Sequence, residues 1–198
     1  MDLQGSVSYE ILLASASPRR KALLEELGLP FRVVSTGHVD EDYPAGLKGG
    51  EIASFLAAHK SDAYKEVLSS GQILLTADTV VCYLDMELGK PANRDEALEM
   101  IALLSGNTHQ VYTGVCLRSS EYKKIFFAVT DVSFSNLEDR EVEWYVDNYR
   151  PFDKAGAYGI QEWIGHVAVE RIQGSYFNVM GLPVQKVYSE LKKFIIQD

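Results

Sequence analysis

The chain is poor in the features that mark several protein classes. It has only two cysteines, Cys82 and Cys116, both inside apolar runs. Neither has zinc-site spacing, so both are expected as reduced core residues and not as a disulfide framework. No apolar run reaches the roughly 18 residues of a membrane span, and residues 1–10 lack a basic segment followed by an apolar core. The expectation is a cytoplasmic protein with no membrane partner. Positive charge is also short: 19 Lys and Arg stand against 28 Asp and Glu, a net charge of −9. That excludes a broad duplex-binding surface, and no nucleic acid polymer is expected as partner, but a local basic pocket remains open. There is no internal repeat, no low-complexity tract, no GxxxxGK[ST] phosphate loop and no GxSxG elbow. The four histidines, His38, His59, His109 and His166, have no metal-ligand spacing and are expected to be structural or exposed.

What is present fits one α/β domain over residues 1–198. The apolar fraction is 46% and the charged fraction 24%, both ordinary for a globular chain with a sizeable core. The spacing predicts strands over 11–14 and 31–34. A helix is predicted over 18–27, capped by Ser17, begun by Pro18 and ended by Gly28. A polar loop with three adjacent acids spans 36–49, followed by a helix over 50–69. Strands are predicted over 72–76 and 80–84, broken by Ala77-Asp78-Thr79. Further predictions are helices over 94–104, 137–148 and 184–195, long antiparallel strands over 109–117 and 124–134, and a strand over 167–172. Residues 150–161 are expected as a loop. This order fits a mixed sheet with helices on its faces.

Five places carry chemistry-bearing residues. Ser15-Ala16-Ser17-Pro18-Arg19-Arg20-Lys21 joins a strand to a helix N-terminus, where free N–H groups and the dipole favour an anion. With two hydroxyls and three cations, a di- or triphosphate is the natural guest; the alternative is an ordinary cap followed by solvated basic residues. Asp78 interrupts apolar strand residues, and a carboxylate there needs a partner. It is a structural acceptor, a metal ligand or a general base. Lys90 lies in Gly89-Lys90-Pro91, at a distance that suits a hairpin returning it toward Asp78. Glu41, between Asp40 and Asp42, is either solvated or part of a hard-cation site, since Mg²⁺ takes one or two carboxylates plus substrate phosphates. Lys60 either snorkels beside its helix's apolar stripe or supplies a point charge to a phosphate. Finally, 153–161 has small residues that allow close backbone approach, and Gln161 offers both a donor and an acceptor.

Six ordered segments together resemble the Maf family of nucleotide pyrophosphatases: Leu13-Ala14-Ser15-Ala16-Ser17-Pro18-Arg19-Arg20, Ala77-Asp78-Thr79-Val80-Val81, Gly89-Lys90-Pro91, Thr108-His109-Gln110-Val111-Tyr112-Thr113-Gly114-Val115, Asp153-Lys154-Ala155-Gly156-Ala157-Tyr158-Gly159-Ile160-Gln161 and Asn178-Val179-Met180-Gly181-Leu182-Pro183. The resemblance implies a two-lobed α/β fold related to the inosine triphosphate pyrophosphatases, with the site in a cleft between lobes. It implies cleavage of a nucleoside triphosphate to the monophosphate and pyrophosphate, with a divalent cation (Mg²⁺ or Mn²⁺). The family's catalytic acid maps on Asp78, with Glu41 and Asp78 as metal positions. Its phosphate- and metal-handling positions also fall on Ser15, Arg20, Lys60 and Lys90. The family resemblance also points to a homodimer. A non-catalytic nucleotide-binding regulator of cell division is the alternative, and an enzyme for another phosphorylated metabolite is a second. Arg19, Thr79 and Gln161 match the branch that handles dTTP and UTP, where the branch for 7-methyl-GTP has Trp, Gln and Glu. One departure stands out: Glu162-Trp163 follows Gln161 where the family commonly has glycine, which raises the expectation of a changed pocket rim.

Overall fold

The computed structural model describes residues 9–84 and 86–197, with side chains through Phe194 in the last helix. Most of residues 1–10, read above for a leader, and the side chain of Ile195 lie outside that description.

A continuous apolar run, buried on both faces, makes the first strand, β1 (Glu10–Ala14), which runs parallel to β2 (Phe31–Val34) on one side and to β3 (Gln72–Tyr83) on the other. Beyond β3 the sheet turns antiparallel through β5 (Thr108–Arg118), β6 (Lys123–Phe134) and β7 (Val169–Gln173), while the short β4 (Met86–Leu88) folds back on the end of β3. The sheet order is β2-β1-β3-β5-β6-β7.

The period of two along β3 sorts its side chains by face. Leu74, Val80 and Cys82 are buried on the face covered by α2 (Gly50–Ala63). There Gly114 of β5 meets the helix directly, because a Cβ at that position would stand 2.1 Å from the Ala53 carbonyl oxygen. On the other face Ile73, Leu75 and Ala77 join one core with α1 (Pro18–Glu26) and α7 (Val184–Gln197). Val81 joins a second core with α3 (Arg94–Leu104) and α4 (Asp139–Tyr149). The two lobes are thus two halves of one sheet, and Asp78 and Thr79 lie where they meet.

Several boundaries differ from expectation. The predicted break at 77–79 does not occur, because β3 pairs with β5 without interruption from Leu74↔Arg118 to Cys82↔Gln110, Asp78 facing Gly114. The strand instead turns at Leu84, where φ is 54°. The helix predicted to 69 stops at Ala63: Tyr64 goes extended so that its ring and Leu68 pack on Leu12. α4 begins two residues late, at Asp139, where a reciprocal Glu138–Glu141 capping box sets its start. The predicted 150–161 loop contains a 3-10 turn, Ala155–Ala157. Two five-residue helices were not expected: α5 (Trp163–Val167), which delays the following strand to Val169, and α6 (Tyr176–Met180), capped by Ser175 and closed by Gly181 at φ 117°.

The histidines behave as structural or exposed groups. His38 is exposed beside Asp40, His59 stacks on Phe55, and the His166 ring meets the Glu162 carbonyl. His109 is buried, 2.8 Å from the Tyr158 hydroxyl and edge-on to Phe134. Burial lowers its pKa to about 4, from 6.5. The unfolded chain therefore takes up this proton below pH 6.5, whereas the native protein resists until about pH 4. Stability falls across that window as pH drops, by about 2 kcal/mol between pH 7 and 5. Urea titrations at those two values should show the loss, and His109→Gln should flatten it. An equal slope in the variant would assign the acid sensitivity elsewhere.

Candidate active site

An opening in the sheet makes the site. On one edge of β3, pairing with β1 ends at Leu75 and pairing with β4 begins only at Val81. Between them the edge of β3 carries neither strand, and β1 delivers the chain there into the Ser15–Ser17 turn and the N-terminus of α1. Ligands of open α/β sheets bind at such carboxyl ends of parallel strands. A cleft of about 780 Å³ occupies the gap, and all nine residues expected at the site line it: Ser15, Arg19, Arg20, Glu41, Lys60, Asp78, Thr79, Lys90 and Gln161. That volume lies within the range of small-molecule sites.

Successive residues of β3 point to opposite faces, so Asp78 and Thr79 serve two different clusters. On the α2 face, the Thr76 hydroxyl donates to the Ala57 carbonyl (2.6 Å), which sets the helix against the strand. Lys60, at the end of that helix, donates to the Asp78 carboxylate and to Glu41 Oε1 (3.0 Å). Lys90 donates to Glu41 Oε2 (2.7 Å), so four charges alternate in sign along one chain. The β3–β4 hairpin returns Lys90 to this cluster, and the Gly156 N–H holds its end by donating to the Gly89 carbonyl (3.0 Å). Glu41 stands on the polar loop, which is pinned by Tyr43 donating to Glu87 of β4. Burial raises the Glu41 pKa, but the hydrogen bonds and charges of Lys90 and Lys60 outweigh it and bring the carboxyl down to about 2.

On the opposite face, Arg20 is held at three points. Its Nε donates to the Gly181 carbonyl (2.8 Å), Nη2 to Thr79 Oγ1 (3.1 Å) and Nη1 to Ser15 Oγ (3.5 Å). Thr79 and Thr113 share a hydrogen bond (2.9 Å), and Thr113 donates onward to the Asn178 carbonyl (2.9 Å). Since Thr113 uses its proton on that carbonyl, Thr79 must donate to Thr113 and accept from Arg20. Desolvation draws the Arg20 pKa down and the nearby Asp78 charge opposes it; a guanidinium stays charged regardless. The helix cap beside it is ordinary in form, Ser17 accepting from the Arg20 N–H.

The remaining wall comes from 153–161. Arg19 lies 3.5 Å from Asp153, and Asp153 also pairs with the buried Lys154 (2.8 Å). Gln161 faces the cleft with its Oε1 buried and without a partner. Its Nε2 lies against Gly159, where a Cβ would come within 2.8 Å of it. The changed rim expected from Glu162-Trp163 is not found. The Glu162 carboxylate turns away to Tyr145 and Lys154, and Trp163 packs on Trp144 with ring centroids 4.8 Å apart.

Thr113, Asn178 and Tyr145 were not singled out from the sequence, and Asp153 and Lys154 only as the start of the 153–161 segment. All but Tyr145 lie in segments that carried the resemblance. Their usable signal was polar or charged residues among apolar and small ones: Thr113 and Asn178 are fully buried, and Asn178 donates to the Val111 carbonyl and Thr130.

Among the described residues no group of three His, Cys, Asp or Glu is gathered as for a metal. Glu41 and Asp78 nevertheless converge on one ammonium. Two hard oxygen donors at one point suit a cation that takes its other ligands from phosphate and water.

Residues 10–194 match the family model described as Maf-like protein. A protein from Bacteroides thetaiotaomicron is 52% identical over 93% of this chain and 96% of its own length. One from Bacteroides fragilis is 54% identical over 93% and 96%, and one from Phocaeicola vulgatus 49% over 96% and 99%. All three bear the name dTTP/UTP pyrophosphatase. A solved HAM1 protein from Coxiella burnetii is 17% identical with a TM-score of 0.47, covering 93% of this chain and 99% of that one. With a family match across nearly the whole chain and relatives near half identity, this protein belongs to the Maf family.

Proposed function

We propose that this protein is a hydrolase that cleaves dTTP and UTP, with modified pyrimidine nucleotides, to the monophosphate and pyrophosphate. The observation that carries the reading is the cleft itself: two carboxylates alternating with Lys60 and Lys90 on one side of an open strand edge, and a pinned arginine at a helix N-terminus on the other. Triphosphate oxygens are the guests such an array suits. The water oxygen bonds to the α-phosphorus as its proton is lost, the bond from that phosphorus to the α,β-bridging oxygen breaks, and pyrophosphate leaves with that oxygen. Arg20, Lys60 and Lys90 hold the phosphoryl oxygens where negative charge grows, which is the main work in such displacements. Asp78 orients or deprotonates the attacking water. Glu41 and Asp78 would hold a divalent cation, Mg²⁺ or Mn²⁺, which when bound supplies Lewis-acid neutralisation of phosphoryl charge.

Gln161 gives base choice. It lines the cleft, and its carboxamide can present an acceptor oxygen to a base N–H. Uracil and thymine offer N3–H at their pairing edge, whereas cytosine has a bare N3. Identifying products from UTP with Mg²⁺ or Mn²⁺ present tests the reaction: UMP and pyrophosphate are expected. UDP and phosphate, or turnover confined to phosphosugars, would overturn it.

We also propose a homodimer in the cytoplasm, the compartment that the free, buried Cys82 and Cys116 suit. β5 is interior, whereas β6 pairs with β7 only from Asp131 onward. The first part of β6 presents Ile125, Phe127 and Val129 to solvent on one face. Lys186 caps the Phe127 carbonyl at that edge (2.6 Å), so face-to-face packing is favoured over strand pairing between copies. No helix among the described residues is long and apolar enough to cross a membrane. Light scattering at micromolar concentration should give twice 22.1 kDa, and Ile125→Lys with Val129→Lys should give 22.1 kDa. A monomeric parent protein would rule the dimer out.

A further inference from the structure

Gln161 sits in a turn that a single phenol clips at both ends. The Glu162 N–H donates to the Gly159 carbonyl (2.9 Å), closing a four-residue turn with Gln161 third. Tyr145, fully buried on α4, accepts from the Gly159 N–H (3.1 Å) and donates to the Glu162 carboxylate. The other oxygen of that carboxylate, Oε1, pairs with Lys154 (3.1 Å). Lys154 continues to Asp153, and Asp153 to Arg19. Ile160, the remaining residue of the turn, is anchored in the core of that lobe.

A buried lysine–carboxylate–phenol chain is a poor device for stability alone, because apolar residues of the same size serve as well or better. Its value is in fixing geometry. We propose that Tyr145 and Glu162 are positioning residues that set base selectivity by clamping the turn that carries Gln161. The proposal rests on the reading of Gln161 as the group that meets the base. Neither residue touches the cleft; they act through the direction in which the Gln161 amide points. Hydrogen-bonded discrimination of this kind depends on a donor and acceptor held in one orientation, since a freely rotating carboxamide would serve cytosine as well as uracil.

Two variants test the clamp. Tyr145→Phe keeps the ring and removes both hydrogen bonds. Glu162→Gln keeps an acceptor for Tyr145 but removes the charge and the oxygen that pairs with Lys154, so it serves as the milder variant. With UTP and CTP compared side by side, Tyr145→Phe should lower the UTP-over-CTP preference in kcat/KM by about tenfold, a factor that one or two lost hydrogen bonds supply. The change should appear mainly as a higher KM for UTP, and Glu162→Gln should fall between the variant and the parent. The second readout needs no nucleotide. The side-chain amide of Gln161 should give two sharp nitrogen-correlated NMR signals in the parent protein and broadened or shifted ones in Tyr145→Phe. A lower melting temperature with unchanged preference and unchanged amide signals would make the network merely structural and overturn the proposal. If the parent protein itself treats UTP and CTP alike, the base reading fails, and the amide signals alone decide for or against the clamp.

Discussion

Asp78→Asn should lower kcat for pyrophosphate release by about 10²-fold or more, the range seen when a positioned acid or base is lost, with the fold intact. The backbone of Asp78 is held by continuous pairing of β3 with β5, opposite Gly114, and owes nothing to the carboxylate. Asparagine keeps the size and an acceptor oxygen for Lys60. What it removes is the charge, which is the feature needed to take a proton from water or to hold a cation. Lys60 retains Glu41 as a partner at 3.0 Å, so the variant does not strand a buried ammonium. Circular dichroism and the melting temperature should therefore change little while turnover falls. Near-normal turnover would remove Asp78 from the chemistry.

Arg20→Ala should cost about 10²- to 10³-fold in kcat, the loss on removing one preorganised electrostatic donor. Arg20 is oriented before any substrate arrives, by Gly181, Thr79 and Ser15, so no reorganisation is needed when charge develops. Guanidinium has five N–H donors; those three contacts leave two for phosphoryl oxygens. Arg20→Lys should not restore activity, since an ammonium cannot hold the Gly181 and Thr79 contacts and face the cleft in the same plane. Lys90→Ala should act in the same direction, because Lys90 both reaches the cleft and holds Glu41. Ser15→Ala removes a neutral hydrogen bond, about 0.5–1.5 kcal/mol net, and should do less. If Ser15→Ala proved the more damaging change, the ranking would fall and Ser15 would need another role.

The parts of the site that were legible in the sequence are those written locally. Ser17-Pro18 marks a capped helix start, and the structure begins α1 at Pro18. Lys90 lies a hairpin's length past Asp78, and β4 pairs with β3 in that way. Asp78 was read as breaking its strand because local propensity disfavours aspartate there. The strand runs on because pairing with β5, more than thirty residues away, decides it. The same limit applies to Lys60 and Glu41. Each was a candidate alone, but their convergence on Asp78 depends on packing α2 over β3, and that packing depends on Gly114 having no side chain. Thr79 lines the cleft, and the partners of its hydroxyl, Arg20 and Thr113, come from elements far from it in the chain. The Tyr145–Glu162–Lys154 chain joins a helix to a loop, and nothing in the local sequence ties the two.

The most direct test of the account is kcat/KM measured side by side on dTTP, UTP, CTP and 7-methyl-GTP, with Mg²⁺ or Mn²⁺ present. Gln161, whose carboxamide stands in the cleft wall and can present an acceptor to an N3–H donor, predicts dTTP and UTP well ahead of CTP and of the methylated purine. Preference for 7-methyl-GTP, or equal rates on CTP and UTP, would contradict it.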